Sequence, residues 1–218
     1  KVHKDANDQE FKNFFVQKIG DYARAAFLRK MDLKNNNFNV IFEFVPLKCI
    51  SGCGTPAAKY QDDDISTKMD SSGHVTFKVG DRFRINVINN GRNVAYYTVI
   101  DIQPDNVVNV LVPGRNERAD EFKIFPSDTI RMQKVYKIGP PYGVDVIKVV
   151  GSDAPIDLRT MFASRGALTR GNSNKKPFEK LLQGTYNAEG NRTRGSDEDT
   201  IQPDAVNILT IPYKIIPQ

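Results

Sequence analysis

The fold is decided by residues 79–150, which read VGDRFRINVINNGRNVAYYTVIDIQPDNVVNVLVPGRNERADEFKIFPSDTIRMQKVYKIGPPYGVDVIKVV. Short runs rich in Val, Ile, Phe and Tyr are separated by turn sequences, a pattern typical of consecutive antiparallel strands. Residues 82–89 alternate well between apolar and polar side chains, which predicts a strand with one buried and one wet face. The two faces are Phe83, Ile85 and Val87, and Arg82, Arg84 and Asn86.

The turns predict how these strands pair. Asn90-Gly91 tolerates positive φ and is expected to return 94–102 against 82–89, with 107–112 as the third strand of a meander. Residues 144–150 are apolar on both faces, so they predict a central strand, and a final strand at 204–216 is expected to pair with it or with the sheet edge near it. Further strands are predicted at 38–47, 122–125, 129–132 and 136–138, and one or two helical turns at 177–182.

An amphipathic helix is predicted from about Asn7 to Met31, because its apolar residues recur every three or four positions. We expect this helix to cover the sheet, with docking on a partner or a membrane surface as alternatives; acidic residues on its polar side weaken the membrane alternative. The stripe consists of Phe11, Phe14, Phe15, Ile19, Tyr22, Ala23, Ala26, Phe27 and Met31.

The predicted fold is therefore mainly β, within the β-rich α+β class: an antiparallel β-sandwich with an N-terminal amphipathic helix packed on it. The helix occupies residues 1–33 and the sandwich 38–216, with mobile loops expected at about 48–73 and 185–203. In these two segments the apolar periodicity is lost or the composition is rich in polar residues and Gly.

Composition narrows the class of protein. The chain has 218 residues, 39% hydrophobic and 26% charged, which is ordinary for a globular domain. No apolar run approaches the roughly 20 residues that cross a bilayer, so no membrane span is predicted. The net charge is +5. Because the basic residues are spread along the chain and interrupted by acidic ones, the sequence does not favour nucleic-acid binding.

Few residues suit metal or cofactor chemistry, and no cofactor or metal is predicted. Cys49 and Cys53 supply too few ligands for zinc; they would form a local disulfide in an oxidising compartment or remain two free thiols elsewhere. His3 and His74 are the only histidines. Residues 62–64 (Asp-Asp-Asp) lack the other ligands of a calcium loop and predict a solvated acidic turn.

No catalytic motif is present either. The chain has no P-loop, no Gly-x-Gly-x-x-Gly after a strand and no His-Glu-x-x-His. The one Cys–His pairing on offer joins Cys49 or Cys53 to His74, and neither cysteine has an acidic-Ala-Cys context. The sequence therefore predicts a chain that is not itself an enzyme, with a cysteine hydrolase using that pair as the alternative.

Four motifs follow one another in the core stretch: VGDRFRI at 79–85, AYYTVIDI at 95–102, VLVP at 110–113 and YKIGPPYGVD at 136–145. Their order resembles an uncharacterised bacterial domain found C-terminal to caspase-like (metacaspase-type) cysteine peptidase domains and in some envelope proteins. The resemblance covers roughly residues 77–159. It implies a non-catalytic accessory β-domain, with a peptidase domain expected upstream of Lys1, and it transfers no catalytic residue.

The resulting hypothesis is a binding or regulatory module that engages a protein, peptide or glycan through loops at one end of the sandwich. The alternatives are the cysteine hydrolase and a structural cell-envelope domain whose helix docks on a neighbour. The compartment stays open, with envelope or secretion favoured over cytoplasm. The candidate contact residues for this ligand are Arg92, Tyr96, Tyr97, Arg115, Arg118 and Tyr142. For the tyrosines among them, the alternative is that they occupy half-buried positions of the sheet and do not contact a ligand.

Overall fold

The computed structural model describes residues 8–159 and 205–218, and in this part of the chain one α-helix precedes eleven strands. The predicted helical turns at 177–182 and the loop at 185–203 lie outside the described residues. The helix α1 is Gln9–Lys30, and short 3₁₀ turns occur at Asn36–Phe38, Ile65–Lys68 and Ala119–Glu121. The strands are β1 Val40–Ser51, β2 Lys59–Asp62, β3 Thr76–Lys78, β4 Arg82–Asn89, β5 Ala95–Ile102, β6 Val108–Val112, β7 Lys123–Ile124, β8 Thr129–Arg131, β9 Tyr136–Lys137, β10 Gly143–Ser152 and β11 Val206–Ile216.

The strands form two sheets. The five-stranded sheet has the order β2-β1-β4-β8, with β9 also paired to β4. The six-stranded sheet has the order β3-β11-β10-β5-β6, with β7 also paired to β5. Neighbours are antiparallel except β3 and β11, which run parallel. The chain is therefore mainly β with a single described helix at its N-terminal side, which confirms the predicted fold class.

The main core lies between the two sheets. Phe42, Phe44 and Phe83 project into it from the five-stranded sheet, and Val99 and Ile147 from the six-stranded sheet. The Phe44 ring is edge-on to the rings of Phe77, Phe83 and Tyr213, at centroid distances of 5.3, 5.1 and 5.1 Å. Burying each large side chain stabilises the fold by roughly 1.5–3 kcal/mol, and paired aromatic rings add to this.

A second core lies on the other side of the six-stranded sheet, where α1 covers it. Ala25 and Leu28 of the helix pack against Ile100, Val150 and Ile208. Asp8 caps the start of the helix, because its carboxylate accepts a hydrogen bond of 2.9 Å from the Glu10 amide. The helix therefore forms a third layer on one face of the sandwich.

Lys148 fixes the other end of the helix. Its side chain is fully buried on the helix side of β10, and Nζ donates to Arg29 O at 3.0 Å, Met31 O at 2.7 Å and Thr210 Oγ1 at 2.7 Å. The last carbonyls of a helix have no partner within the helix and carry partial negative charge. Lys148 thus satisfies them with a positive charge whose three donors are all used.

The predicted hairpin between β4 and β5 is wrong. β4 pairs with β1 in one sheet, while β5 pairs with β10 in the other. Gly91 lies so close to the N-terminal connection that an added Cβ would be 2.4 Å from Asn37 O. The buried Asn89 side chain bonds the Gly91 amide and Asn93 O, so Asn90-Gly91 forms a corner that carries the chain from one sheet to the other.

Other predicted pairings are confirmed. β5 pairs with β6, and β10 lies between β5 and β11 as a central strand. β11 pairs with β10 along ten residues, from Gly143↔Ile215 to Ser152↔Val206. The segment 48–73 contains more structure than the sequence indicated, because β1 continues to Ser51 and is followed by β2 and a 3₁₀ turn.

Only the C-terminal part of the predicted stripe packs on the sheet, where Phe27 and Met31 lie against the second core. The buried positions are Ala25 and Leu28, near the C-terminal end of the helix. Most of the N-terminal part of the stripe is exposed: Phe14, Phe15, Ile19 and Tyr22 retain between 49% and 62% of their accessible surface. A 22-residue helix is about 33 Å long, so only part of its length meets the second core.

Candidate functional site

The outer side of β4 supplies the centre of a candidate binding surface. Residues of β4 alternate between half-buried and buried, with Arg82, Arg84 and Asn86 half-buried and Phe83 and Ile85 in the core. This confirms the two-faced strand predicted from the alternation. We call the outward surface of the five-stranded sheet the arginine face; it comprises Glu43, Tyr60, Asp62, Arg82, Arg84, Asn86, Arg131 and Lys137.

Strand register brings these side chains together. Asn86 lies opposite Glu43 of β1 on one side and Arg131 of β8 on the other, and Arg82 lies opposite Lys137 of β9. Side chains directly opposite each other in an antiparallel pair share a face and are close neighbours. The arginine face therefore carries four cationic side chains, those of Arg82, Arg84, Arg131 and Lys137, against two acidic ones, Glu43 and Asp62.

The arginines of this face are only partly satisfied. Asp62 on the edge strand β2 is shared, since Arg84 Nη1 donates to it at 3.3 Å and Arg131 Nη2 donates at close range. The Arg82 guanidinium lies 5.0 Å from the centroid of the Tyr60 ring. Arg84 Nε and Asn86 Oδ1 have no hydrogen-bond partner among the described residues.

This arrangement suits recognition of carboxylates. A guanidinium offers a fixed fork of donors that a carboxylate can accept in pairs, and such charge-assisted bonds are about twice as strong as neutral ones. Arg82 and Arg84 are two residues apart on one strand face, a spacing of about 7 Å. An extended acidic segment with carboxylates at alternate positions repeats at the same interval. Within 8–159 and 205–218 no cluster of three or more His, Cys, Asp or Glu side chains could hold a metal ion.

Four candidates from the sequence lie toward one end of the sandwich. Arg92 is exposed in the corner between β4 and β5, and Tyr96 is half-buried on β5 opposite Lys123 and Ser152. Arg115 and Arg118 are exposed in the loop after β6, and Arg118 pairs with Asp120.

The loop after β6 is held by Arg159, a residue that the sequence did not single out. Its guanidinium donates to Gly114 O, Arg115 O and Glu117 O while it pairs with Asp157.

The other two candidates lie elsewhere. Tyr97 is buried between the sheets with its ring edge-on to Phe122, and burial raises the pKa of its hydroxyl to about 12. Tyr142 is 54% exposed and immediately precedes β10, whose far end pairs with β5 at Tyr96. Ten residues of strand span about 30 Å, so Tyr142 and Tyr96 lie at opposite ends of the sandwich.

Cys49 and Cys53 are joined in a disulfide in the structure. His74 lies in the loop before β3, with Nδ1 3.7 Å from Asp70 Oδ1 and 66% of its side chain exposed. The two cysteine sulfurs are thus bonded to each other, and neither is a thiol in this state.

The acidic turn predicted at residues 62–64 is held by a local hydrogen bond. The Asp64 carboxylate accepts this bond from the Ser66 amide, which lowers the pKa of the Asp64 carboxyl.

A pair of buried carboxyl groups is the feature the sequence reasoning missed. Asp101 of β5 and Asp145 of β10 are 6% and 1% exposed, and the Tyr213 hydroxyl lies 3.2 Å from an oxygen of each. Desolvation raises the pKa of Asp101 to about 6 and that of Asp145 to about 7. The available signal was alternation, which places Asp145 on the same side of its strand as Ile147 and Val149.

Comparisons with known proteins give no assignment: no family model matches the sequence, and no curated protein matches it either. No helix within the described ranges is both long enough and apolar enough to span a membrane. The features of the described residues that bear on function are therefore the arginine face, the exposed part of α1 and the buried acidic pair.

Proposed function

We propose that this chain is a non-catalytic binding module that holds an acidic, extended segment of a partner protein against the arginine face. The observation that carries the proposal is Arg84, a half-buried guanidinium at the centre of a sheet face. Its hydrogen bond to Asp62 is long and shared, and its Nε is buried with no partner among the described residues. A carboxylate ligand that pairs with such an arginine contributes more binding free energy than one that must compete with the partners of a fully paired arginine.

The ligand follows from charge and shape. The cations of the arginine face outnumber its acids, so opposite charge favours an acidic partner and like charge disfavours a basic one. The outer side of the six-stranded sheet is covered by α1, whereas no described α-helix packs on the arginine face. A strand-like segment with alternating carboxylates matches the spacing of Arg82 and Arg84.

The proposal also covers the longer protein to which this chain would belong and the compartment in which it would act. From the order of motifs at 79–145, we propose that the chain is an accessory region of a bacterial caspase-like peptidase and that its acidic ligand is a partner of that enzyme. The Cys49–Cys53 disulfide supports an oxidising compartment such as the envelope or the extracellular space. The same disulfide counts against a cysteine hydrolase using either residue, because a thiolate is the nucleophile in such enzymes.

A binding experiment tests the arginine face. A fluorescent peptide of alternating Glu and Ser is titrated with the purified protein at low salt, beside a matched Gln-Ser peptide. We expect saturable binding of the Glu peptide alone, weakened about tenfold or more by Arg84→Gln, since one charge-assisted pair contributes about 1.4 kcal/mol or more.

Arg92→Gln is the matched control, because it removes the same charge at the other end of the sheet. Equal losses for the two variants would show that only net charge matters and would overturn the proposal. Equal binding of a single-stranded oligonucleotide or a sulfated glycan would overturn the choice of an acidic peptide as ligand.

A second candidate function rests on the exposed part of the α1 stripe at Phe14, Phe15, Ile19 and Tyr22. We propose that this stripe pairs with the same stripe on a second copy of the chain. Four half-exposed side chains offer roughly 450 Å² per copy, so a pair would bury roughly 900 Å², in the size range of weak, transient interfaces. The helix segment 9–22 has two lysines and two acids, so copies meet no net repulsion and an anionic lipid surface gains no net attraction.

Sedimentation across a concentration series tests this pairing. We expect a monomer–dimer equilibrium that the double variant Phe15→Asp, Ile19→Asp abolishes. Ile50→Asp is the matched control, since Ile50 is equally exposed at the far end of β1. A wild-type chain that stays monomeric throughout, or a control that dissociates equally, contradicts the pairing.

A further inference from the structure

The hydrogen-bonding capacity of the Tyr213 hydroxyl limits the charge of the two carboxyl groups beside it. The hydroxyl has one proton to donate, and ionised carboxylates only accept. Its oxygen lies 3.2 Å from Asp101 Oδ1 and 3.2 Å from Asp145 Oδ2. If both carboxyls were ionised, only one could receive the tyrosine proton, and the other would face the hydroxyl oxygen with nothing between them.

One extra proton completes this set. A protonated carboxyl donates to Tyr213 Oη, and the hydroxyl then donates to the remaining carboxylate, so every close contact becomes a hydrogen bond. The three residues come from adjacent strands, with Asp145 directly opposite Tyr213 in the β10–β11 pair and Asp101 on β5 at the other side of β10. The proton therefore links three neighbouring strands.

Charges around the pair do not neutralise it. Asp105, in the turn after β5, adds negative charge near both carboxyls, while the side chains of Gln103 and Asn109 hydrogen-bond Asp101. Arg29 of α1 is the nearby cation that favours ionised Asp145, but its guanidinium is bonded to Asn106 Oδ1 and Gln103 O. Lys148 lies on the opposite face of β10 and donates to two carbonyls at the end of α1 and to the Thr210 hydroxyl.

We propose that Asp101, Tyr213 and Asp145 form a proton-dependent latch that holds β5, β10 and β11 together at the end of the sandwich where β10 begins. At this end the turn after β5 packs against the start of β10, since an added Cβ on Gly143 would be 3.1 Å from the Pro104 ring. Loss of the shared proton leaves two buried carboxylates that repel each other, and this end loosens.

The direction of the pH effect follows from the ionisation of a buried acid. The pKa of each carboxyl is raised above its ordinary value, to about 6 and about 7, chiefly by burial. The folded chain thus holds a proton that the unfolded chain has already released. The stabilisation is complete at acidic pH and is lost as pH rises through about 7, which makes the latch a sensor for the change from mildly acidic to neutral conditions.

Carboxyl carbon NMR of the wild-type chain tests the latch without any substitution. With ¹³C-labelled aspartate, we expect one buried carboxyl to titrate with a midpoint near pH 7, far above the exposed aspartates. Backbone amides at the start of β10 and in the turn after β5 should show faster hydrogen exchange, beyond the intrinsic rise with pH, above the same midpoint. If all aspartates titrate at ordinary values, or these amides do not change, the latch is overturned.

Two variants sharpen the test. Asp145→Asn keeps a donor beside Tyr213 without a titrating group, so the midpoint near pH 7 and the pH-dependent exchange should both disappear. Asp105→Asn removes the neighbouring charge on the exposed turn, so the transition should remain and move to lower pH. A transition that persists unchanged in Asp145→Asn contradicts the assignment, and the Asp105→Asn result decides the case if Asp145→Asn does not fold.

Discussion

The two outer faces of the sandwich each contain a central cation, and the two cations differ in burial and in how many hydrogen bonds they donate. Lys148, under α1, is fully buried and uses its three donors on Arg29 O, Met31 O and Thr210 Oγ1. Arg84, on the opposite outer face, is half-buried and holds one shared carboxylate at 3.3 Å. A saturated buried cation stabilises the fold, whereas an undersatisfied one on an uncovered sheet face retains capacity for a ligand.

The largest expected effect concerns stability. Lys148→Met should lower the free energy of unfolding by about 2–3 kcal/mol, because two helix-end carbonyls and the Thr210 hydroxyl lose a buried donor. Arg84→Met should cost less than about 1 kcal/mol, since a surface ion pair contributes little. Urea unfolding monitored by circular dichroism measures both. If the two costs were equal, the contrast between a structural and a ligand-binding cation would be wrong.

A smaller effect concerns the helix that covers one face. Gly20 lies inside α1, and an added Cβ there would have no heavy atom within 4 Å. Gly20→Ala should therefore raise the free energy of unfolding by about 0.5–1 kcal/mol through helix propensity, without affecting peptide binding. Thermal unfolding of the two proteins checks this, and a loss of stability would mean that the helix is not continuous through residue 20.

The smallest effect concerns the acid within the arginine face. Asp62 partly neutralises Arg84 and Arg131, so Asp62→Asn should free both guanidinium groups for a ligand. We expect about threefold tighter binding of the Glu-Ser peptide, equivalent to about 0.7 kcal/mol. Asp63→Asn is the matched control one residue away. Weaker binding after Asp62→Asn would show that Asp62 orients the arginines more than it competes for them.

One side of this contrast, the outward position of Arg84, could be predicted from local patterns. Period-two alternation assigned Arg82, Arg84 and Asn86 to an outer face, and the structure confirms it. The same pattern places Asp145 on the inner side of its strand, yet its partners could not be inferred, because Tyr213 and Asp101 are distant in sequence. Local periodicity specifies which side a residue faces but not which strand lies beside it.

Two predictions from the sequence, the hairpin at Asn90-Gly91 and the packing of the whole α1 stripe, were wrong for the same physical reason. Asn90-Gly91 is compatible with a hairpin, but close packing of Gly91 on the backbone at Asn37 makes it a corner between sheets. The apolar stripe of α1 predicts packing along the whole helix, but the helix extends past the second core, so only its C-terminal part, with Phe27 and Met31, packs on the sheet. In both cases long-range packing decided between conformations that the local sequence permits.

NMR mapping of the acidic peptide on the labelled protein tests the central claim most directly. In a ¹⁵N titration, we expect saturable shifts of the backbone amides of β1, β2, β4 and β8, together with a large shift of the Arg84 Nε–H signal. Shifts confined to the loops around Arg92, Arg115 and Arg118, or the absence of saturable shifts, would contradict the assignment of the arginine face as the binding surface.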